Sequence, residues 1–308
     1  KIFLMIRRPP RSTLSRVRRQ RQMCIRDSTY ESGGKWYGKL LRIFISAPDE
    51  DVYAGPNNWS LSVLMNTKPG QAITAPPAIG SDRTMTPWVY WGTGRFFSGE
   101  DKTDLSTQSF YGVKDRTLVE GSPAEAKTPD ALFDVTDVSV TFGDPSTVSG
   151  SDAVPGGSSW DEMLSAMRGD EFDTTYGWFL DVVDIAGAEE GERVLVKPSL
   201  YGGLAMFTSF RPNNDVCDSG GRGRLYGLYY ETGTSYKKDI FSLADPPLGT
   251  TFKRSVDLGQ GKPSSLAIHI GHEEGGKVYV QQSTGTIEEL LLNTPYRMKS
   301  GTVTWYEE

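Results

Sequence analysis

Residues 275–292 read GGKVYVQQSTGTIEELLL. A β-prone run follows two glycines, Ser283-Thr284-Gly285 supplies turn chemistry, and a second apolar run returns. That is a strand, a tight turn and a return strand. The same shape recurs along the chain. Strand-like runs bounded by Gly, Pro, Asn and Asp fall at Lys39–Ile45, Trp59–Met65, Trp88–Trp91, Ser109–Val113, Tyr176–Val182 and Arg193–Val196. Further runs fall at Leu204–Phe210, Arg224–Tyr230, Ser265–Ile270, Lys277–Gln282, Thr286–Leu292 and Thr302–Tyr306. Long amphipathic helices and heptads are absent from the pattern.

Many hairpins in one chain predict an all-β protein, and their number suits a β-propeller. Its blades are four-stranded antiparallel sheets of about 40–45 residues set around an axis. A β-sandwich is the alternative architecture. Composition agrees with an all-β chain: 34 glycines and 18 prolines break 308 residues, and 37% are hydrophobic, enough for a sizeable core. One insertion, residues 143–175, starts polar and then carries a short helix near 159–169. Ser159 and Glu162 form a capping box there, and Trp160, Met163, Leu164 and Met167 make an apolar stripe expected to pack on the sheets.

Charge is unevenly placed. Residues 1–28 hold Lys1 and eight arginines against Asp27, a net +8, so with −6 overall the remainder carries −14. An acidic body repels phosphate backbones and anionic lipid, which argues against nucleic acid as a partner. The basic segment has only Ile2 to Ile6 as an apolar run, too short for a signal peptide or a membrane span. Its Met23-Cys24-Ile25-Arg26-Asp27-Ser28 resembles a translated transposase end from sequencing libraries, and the stretch before it resembles adapter read-through. Residues 1–28 are therefore expected to be non-native, with the propeller piece starting near Thr29. About 280 residues make five or six blades at most. An incomplete ring, poorly soluble when expressed alone, is expected from its unpaired strand edges.

A series of motifs in order adds a resemblance: TPWVYWGTGRFFSGED (86–101), QSFYGVKD (108–115), YGWFLD (176–181), GERVLVKPSLYGGLAMFTSFRPNNDVC (191–217), GRLYGLYYETG (223–233), LGQGKPSS (258–265) and QQSTGTIEEL (281–290). Together they resemble the C-terminal β-propeller domain of the PilY/PilC family of type IV pilus tip and assembly adhesins. Gly92, Gly94, Asp115, Trp178, Glu192, Arg193, Cys217 and Gly285 are the signature positions carried by these motifs. Glycines suit turns and close approach, and Trp88, Trp178 and Tyr226 suit wedging between blades. The family's von Willebrand factor A-like N-terminal region and its early calcium loop are absent here. The ending Trp305-Tyr306-Glu307 has Tyr306 where the family has Arg.

The resemblance implies a non-enzymatic protein outside the cell or on its surface, reached through the periplasm. It would support pilus assembly, oppose retraction and mediate attachment. The implied partners are minor pilins at the pilus tip and a host or abiotic surface, with calcium bound in the full-length protein.

Candidate chemistry within the chain is sparse. His269 and His272 lie three apart at a strand end, not at the i, i+4 spacing of a zinc helix. Acidic loops occur at Asp49-Glu50-Asp51, at Glu100-Asp101 with Asp104, and at Asn213, Asp215 and Asp218. The last is the best candidate for calcium, yet none follows the twelve-residue calcium loop. Cys217 has no assignable partner once Cys24 is set aside. Arg168-Gly169-Asp170 is a tripeptide many integrin ligands display, and equally a helix stop with Gly169 as its cap. No nucleophile elbow or phosphate loop is present. A quinoprotein-type propeller dehydrogenase is the rival function. The first half of its blade motif is matched once, by Tyr229-Tyr230-Glu231-Thr232-Gly233, and no docking Trp follows before Trp305.

Overall fold

The computed structural model describes residues 22–45, 59–116, 126–150, 159–168, 176–183, 191–213, 220–270 and 276–296. Four β-sheets and a small hairpin make up the described chain. The first sheet is β1 (Gln22–Ser32), β2 (Lys35–Ile45) and β3 (Trp59–Asn66), antiparallel in chain order. The second is built from β4 (Ala78–Ser81), β5 (Pro87–Gly92), β6 (Ser109–Lys114), β10 (Gly177–Asp181) and β7 (Phe133–Asp134), in that spatial order. Only the β10–β7 pair in it is parallel.

The third sheet is a complete four-stranded antiparallel blade: β11 (Ser199–Tyr201), β12 (Leu204–Arg211), β13 (Arg222–Tyr229) and β14 (Ser255–Gln260). The fourth is β15 (Ala267–Ile270), β16 (Gly276–Gln281) and β17 (Ile287–Leu292). Strands β8 (Ser139–Thr141) and β9 (Thr147–Ser149) pair apart from these sheets. The architecture is an all-β partial propeller whose described sheets do not close into a ring.

Why the runs form this stack follows from period-two alternation between two buried faces. In the second sheet Val89, Trp91, Tyr111, Val113 and Phe179 turn one way and join Leu40, Leu64 and Met65 of the first sheet in one core cluster. Trp88, Tyr90, Phe110, Trp178 and Leu180 turn the other way and meet Ala205, Phe207, Tyr226 and Leu228 of the third. The third sheet repeats the arrangement, sending Leu204, Met206 and Leu225 against Val278, Val280 and Leu292 of the fourth. A ring stack crosses the second interface and continues within the third sheet. Phe110 stacks on Phe207 at 3.8 Å between centroids, and Phe207 on Tyr226 at 4.7 Å. Each such pair adds about 0.5–1.5 kcal/mol beyond area burial.

Helix α1 (Trp160–Arg168) confirms the capping box: the Glu162 N–H donates to Ser159 Oγ at 3.3 Å, and the Ser159 N–H donates to Glu162 Oε2 at 3.1 Å. Trp160, Met163, Leu164 and Met167 are buried in the cluster between the second and third sheets. The expected strand over Arg193–Val196 is corrected. Arg193 makes a single bridge to Phe210, and the segment crosses the blade ends. The boundary expected near Thr29 falls inside β1, whose residues Gln22–Ser28 pair with Lys39–Ile45. The run expected at Thr302–Tyr306 lies outside the described residues. No helix among the described residues is long and apolar enough to cross a membrane.

Candidate functional site

The connection from β5 to β6 passes over one end of the stack, which we call the loop end. Two glycines admit its turn away from β5. Val194 occupies the space a Cβ at Gly92 would take, while Gly94 has φ +147° and lies against Arg193. Asp101 then closes the loop on itself. Its carboxylate accepts the backbone N–H groups of Phe97 at 2.7 Å and Ser98 at 2.8 Å, and pairs with Arg95 at 2.7 Å. Burial pushes this carboxyl upward, but the Ser98 and Phe97 N–H groups with the Arg95 cation outweigh it and hold the group below its ordinary value.

Glu192-Arg193 pins that loop to the sheets. The buried Arg193 guanidinium donates to the carbonyls of Gly191 (2.9 Å), Arg95 (2.8 Å), Asp101 (2.7 Å) and Asp104 (2.7 Å). Burial pulls its pKa down, and Asp104 and Asp101 act against that pull. Only the five-donor fork of arginine reaches so many carbonyls from one point. Glu192 faces the third sheet, accepting from Ser209 Oγ, from Tyr226 Oη at 3.1 Å and from Arg224 at 3.4 Å. Adjacent residues of opposite charge thus fasten the loop end of two blades.

The opposite end holds a second polar network. Arg168, the last residue of α1, donates to both carboxylate oxygens of buried Glu231, with its shortest contact at 2.6 Å. Glu231 also accepts from Tyr229, whose hydroxyl meets Tyr296 at 2.8 Å, and Tyr296 in turn accepts from Arg83 at 3.2 Å. Burial first, then Tyr296 and Glu231, raise the Tyr229 phenol far above its ordinary value.

The other signature residues have structural surroundings. Asp115 is buried and paired with Arg42 of β2 at 2.5 Å, joining first and second sheets. Trp178 fills the second interface: its Nε1 donates to the Tyr230 carbonyl at 3.1 Å, and its ring takes the space a Cβ would need at Gly112 and Gly233. Gly285, at φ +91°, forms the β16–β17 turn.

Of the adhesive tripeptide, Arg168 is engaged by Glu231, while Gly169 and Asp170 lie outside the described residues. Asp215, Cys217 and Asp218 lie outside them too, as do Asp49 to Asp51 and His272; Asn213 and the exposed His269 are inside. Among the described residues no group of three or more His, Cys, Asp or Glu could hold a metal ion. The Asp101 carboxylate is engaged by three N–H donors, Arg95 on one oxygen and Phe97 and Ser98 on the other.

One feature of the loop end is unmarked by any catalytic or metal motif. An open groove of about 410 Å³ lies between the third and fourth sheets, lined by Val196, Lys262, Pro263, Ser264, Gln281 at the end of β16, Gln282, Ser283 and Gly285. Its walls are LGQGKPSS and QQSTGTIEEL, two stretches whose sequences show only turn chemistry. Their approach is a tertiary event, a bridge between Pro263 and Gln282.

No family model matches the chain. It is 26% identical over 199 residues to a type IV pilus biogenesis factor PilY1 homolog of Xylella fastidiosa strain Temecula1, covering 61% of this chain and 14% of that protein. A second such homolog of the same strain is 28% identical over 215 residues, 65% of this chain and 13% of that one. The type IV pilus biogenesis factor PilY1 of Pseudomonas aeruginosa is 24% identical over 252 residues, 76% and 21%. The chain thus spans only 13% to 21% of the length of these relatives. Among solved structures, the crystal structure of the Pseudomonas aeruginosa PilY1 C-terminal domain superposes with a TM-score of 0.57 at 19% identity, covering 90% of this chain and 62% of that chain. The architecture is that of the PilY1 C-terminal domain.

Proposed function

We propose that this chain belongs to a type IV pilus biogenesis and adhesion factor, acting by assembly and recognition, not by catalysis, outside the cell or on its surface. The observation that carries this reading is the correspondence of the sheet stack to the PilY1 C-terminal domain over 90% of the chain. Three relatives named as pilus biogenesis factors support it.

The chemistry of the blade ends suits the role. Asp101, Glu192 and Arg193 are spent on holding loops, so the loop end is a stiff surface, and preorganised surfaces bind with less ordering cost. Minor pilins at the tip and a host or abiotic surface are the partners we assign, and opposition to retraction the mechanical consequence.

Deleting the complete gene tests the proposal. Surface pili, counted by electron microscopy, and twitching motility should both fall sharply and return on complementation. Unchanged piliation and twitching would overturn it, as would alcohol-dependent dye reduction by protein reconstituted with a quinone cofactor.

A further inference from the structure

We propose that Tyr229 and Tyr296 form an oxidative cross-linking site, at which hydrogen peroxide, acting through a haem peroxidase, joins the two phenol rings as dityrosine. After β17 the chain turns back as a strap, residues 293–296, over the end of the stack opposite the loop end. The Asn293 N–H donates to the Ile240 carbonyl and the Tyr296 N–H to the Gly202 carbonyl, both at 2.9 Å. Gly202 and Gly203, at φ +57° and +89°, make room for it, because Thr294 and the Tyr296 ring occupy the space their Cβ atoms would take. The strap thus lays Tyr296 on the third sheet, with the Arg83 guanidinium of the β4–β5 turn 5.6 Å from its ring centroid.

Three observations favour coupling at this pair. The hydroxyls already stand 2.8 Å apart. In dityrosine the new bond joins the carbons ortho to the two oxygens, which leaves the hydroxyls side by side within hydrogen-bond reach, so the contact has the product's arrangement of oxygens. A path for the proton exists as well: Tyr229 donates to the Glu231 carboxylate at 3.0 Å and can release its proton along that bond as it loses an electron. Finally, Tyr229 lies among Trp160 at 5.0 Å, Tyr230 at 5.2 Å and Tyr236 at 5.4 Å between centroids. Electron transfer across such a cluster reaches a ring that is itself buried. Half-buried Tyr296, beside exposed Arg83, is the ring an oxidant meets first.

Each phenol loses one electron and its hydroxyl proton. The two phenoxyl radicals join through their ortho carbons, and the hydrogens on those carbons move to the oxygens as the rings regain aromaticity. Two electrons and two protons pass to one peroxide, which is reduced to two waters. The link joins residues 67 apart in sequence and fastens the strap that follows the fourth sheet to β13 of the third. Closing a long loop in this way stabilises chiefly by constraining the unfolded chain.

This site goes beyond the pilus reading and is tested without it. The purified full chain, kept dilute, is treated with hydrogen peroxide and microperoxidase, a haem peptide small enough to approach the strap. The product should remain monomeric, show dityrosine fluorescence and melt several degrees higher than untreated chain. Its tryptic digest should contain residues 225–237 linked to residues 278–297, with fragment ions placing the link on Tyr296 and not on Tyr279. Tyr296→Phe keeps the ring over Gly203 and should lose that linked peptide, while Tyr30→Phe should leave its yield unchanged. Tyr30 and Tyr37 are the rival pair, stacked at 5.4 Å between centroids with Tyr30 exposed. The parental peptide map decides the assignment even where a variant folds poorly. A link mainly between residues 27–35 and 36–39, links between molecules only, or a linked peptide that survives Tyr296→Phe would overturn the site. So would the absence of dityrosine in the chain while free N-acetyltyrosine couples in the same reaction.

Discussion

Asp101 shows what one residue does at the loop end. Its carboxyl is held below the ordinary value despite burial, because the Ser98 and Phe97 N–H groups and the Arg95 guanidinium favour the anion. A folded-state pKa below the unfolded one gives stability that is present above the unfolded value, about 4, and lost as pH falls through the folded one. We therefore expect Asp101→Asn to be less stable than the parent at pH 7. The urea midpoints of the two should converge as pH is lowered from 5 toward 2. Parallel pH profiles would mean that the N–H groups do not depend on the charge. Arg193 is the complementary case, a cation whose partners are four carbonyls and whose role no sequence motif announces.

At the scale of elements, sheets are joined by apolar faces and by one buried ion pair across the first interface, Arg42 of β2 with Asp115 at the end of β6. Both side chains are essentially unexposed. Removing one partner of such a pair leaves a buried charge and costs about 3–5 kcal/mol, while replacing both by apolar groups is often neutral. Arg42→Met should thus lower stability by about that amount in urea unfolding, and Arg42→Met with Asp115→Leu should recover most of it. A double variant as unstable as the single one would show that other partners of these residues dominate. Helix α1 follows the local rules closely, since its cap and its apolar stripe are both encoded within ten residues.

For the whole molecule, stacked sheets bury phenols in each interface. Tyr111 lies in the first and Tyr90 and Tyr226 in the second, and burial is the foremost cause raising all three above the ordinary phenol value. A raised folded-state pKa gives stability that is complete below the unfolded value, about 10, and lost as pH rises through the folded one. These phenols should therefore ionise together with loss of near-ultraviolet circular dichroism. Absorbance at 295 nm, followed above pH 10, checks this. Stepwise ionisation near pH 10 with the fold intact would show that the interfaces admit water.

Much of this was legible in the chain. Alternating apolar runs with glycine-bearing turns determined the strands, because side-chain direction in a strand depends only on parity; Val278, Val280 and the Gly285 turn are where their sequence places them. The helix cap was equally local. Short strands such as β4, β7, β8 and β9 carry too few residues for a pattern to emerge. The Arg193–Val196 run looked like a strand because apolar periodicity does not distinguish pairing from crossing a blade end. Tertiary structure alone decided that Arg193 would gather carbonyls from 89 to 98 residues away, that Arg168 would meet Glu231, and that Lys262 would share a groove with Gln281 and Gln282. Such meetings depend on how whole sheets stack, and stacking is set by the sum of many apolar contacts, which no short stretch of sequence contains.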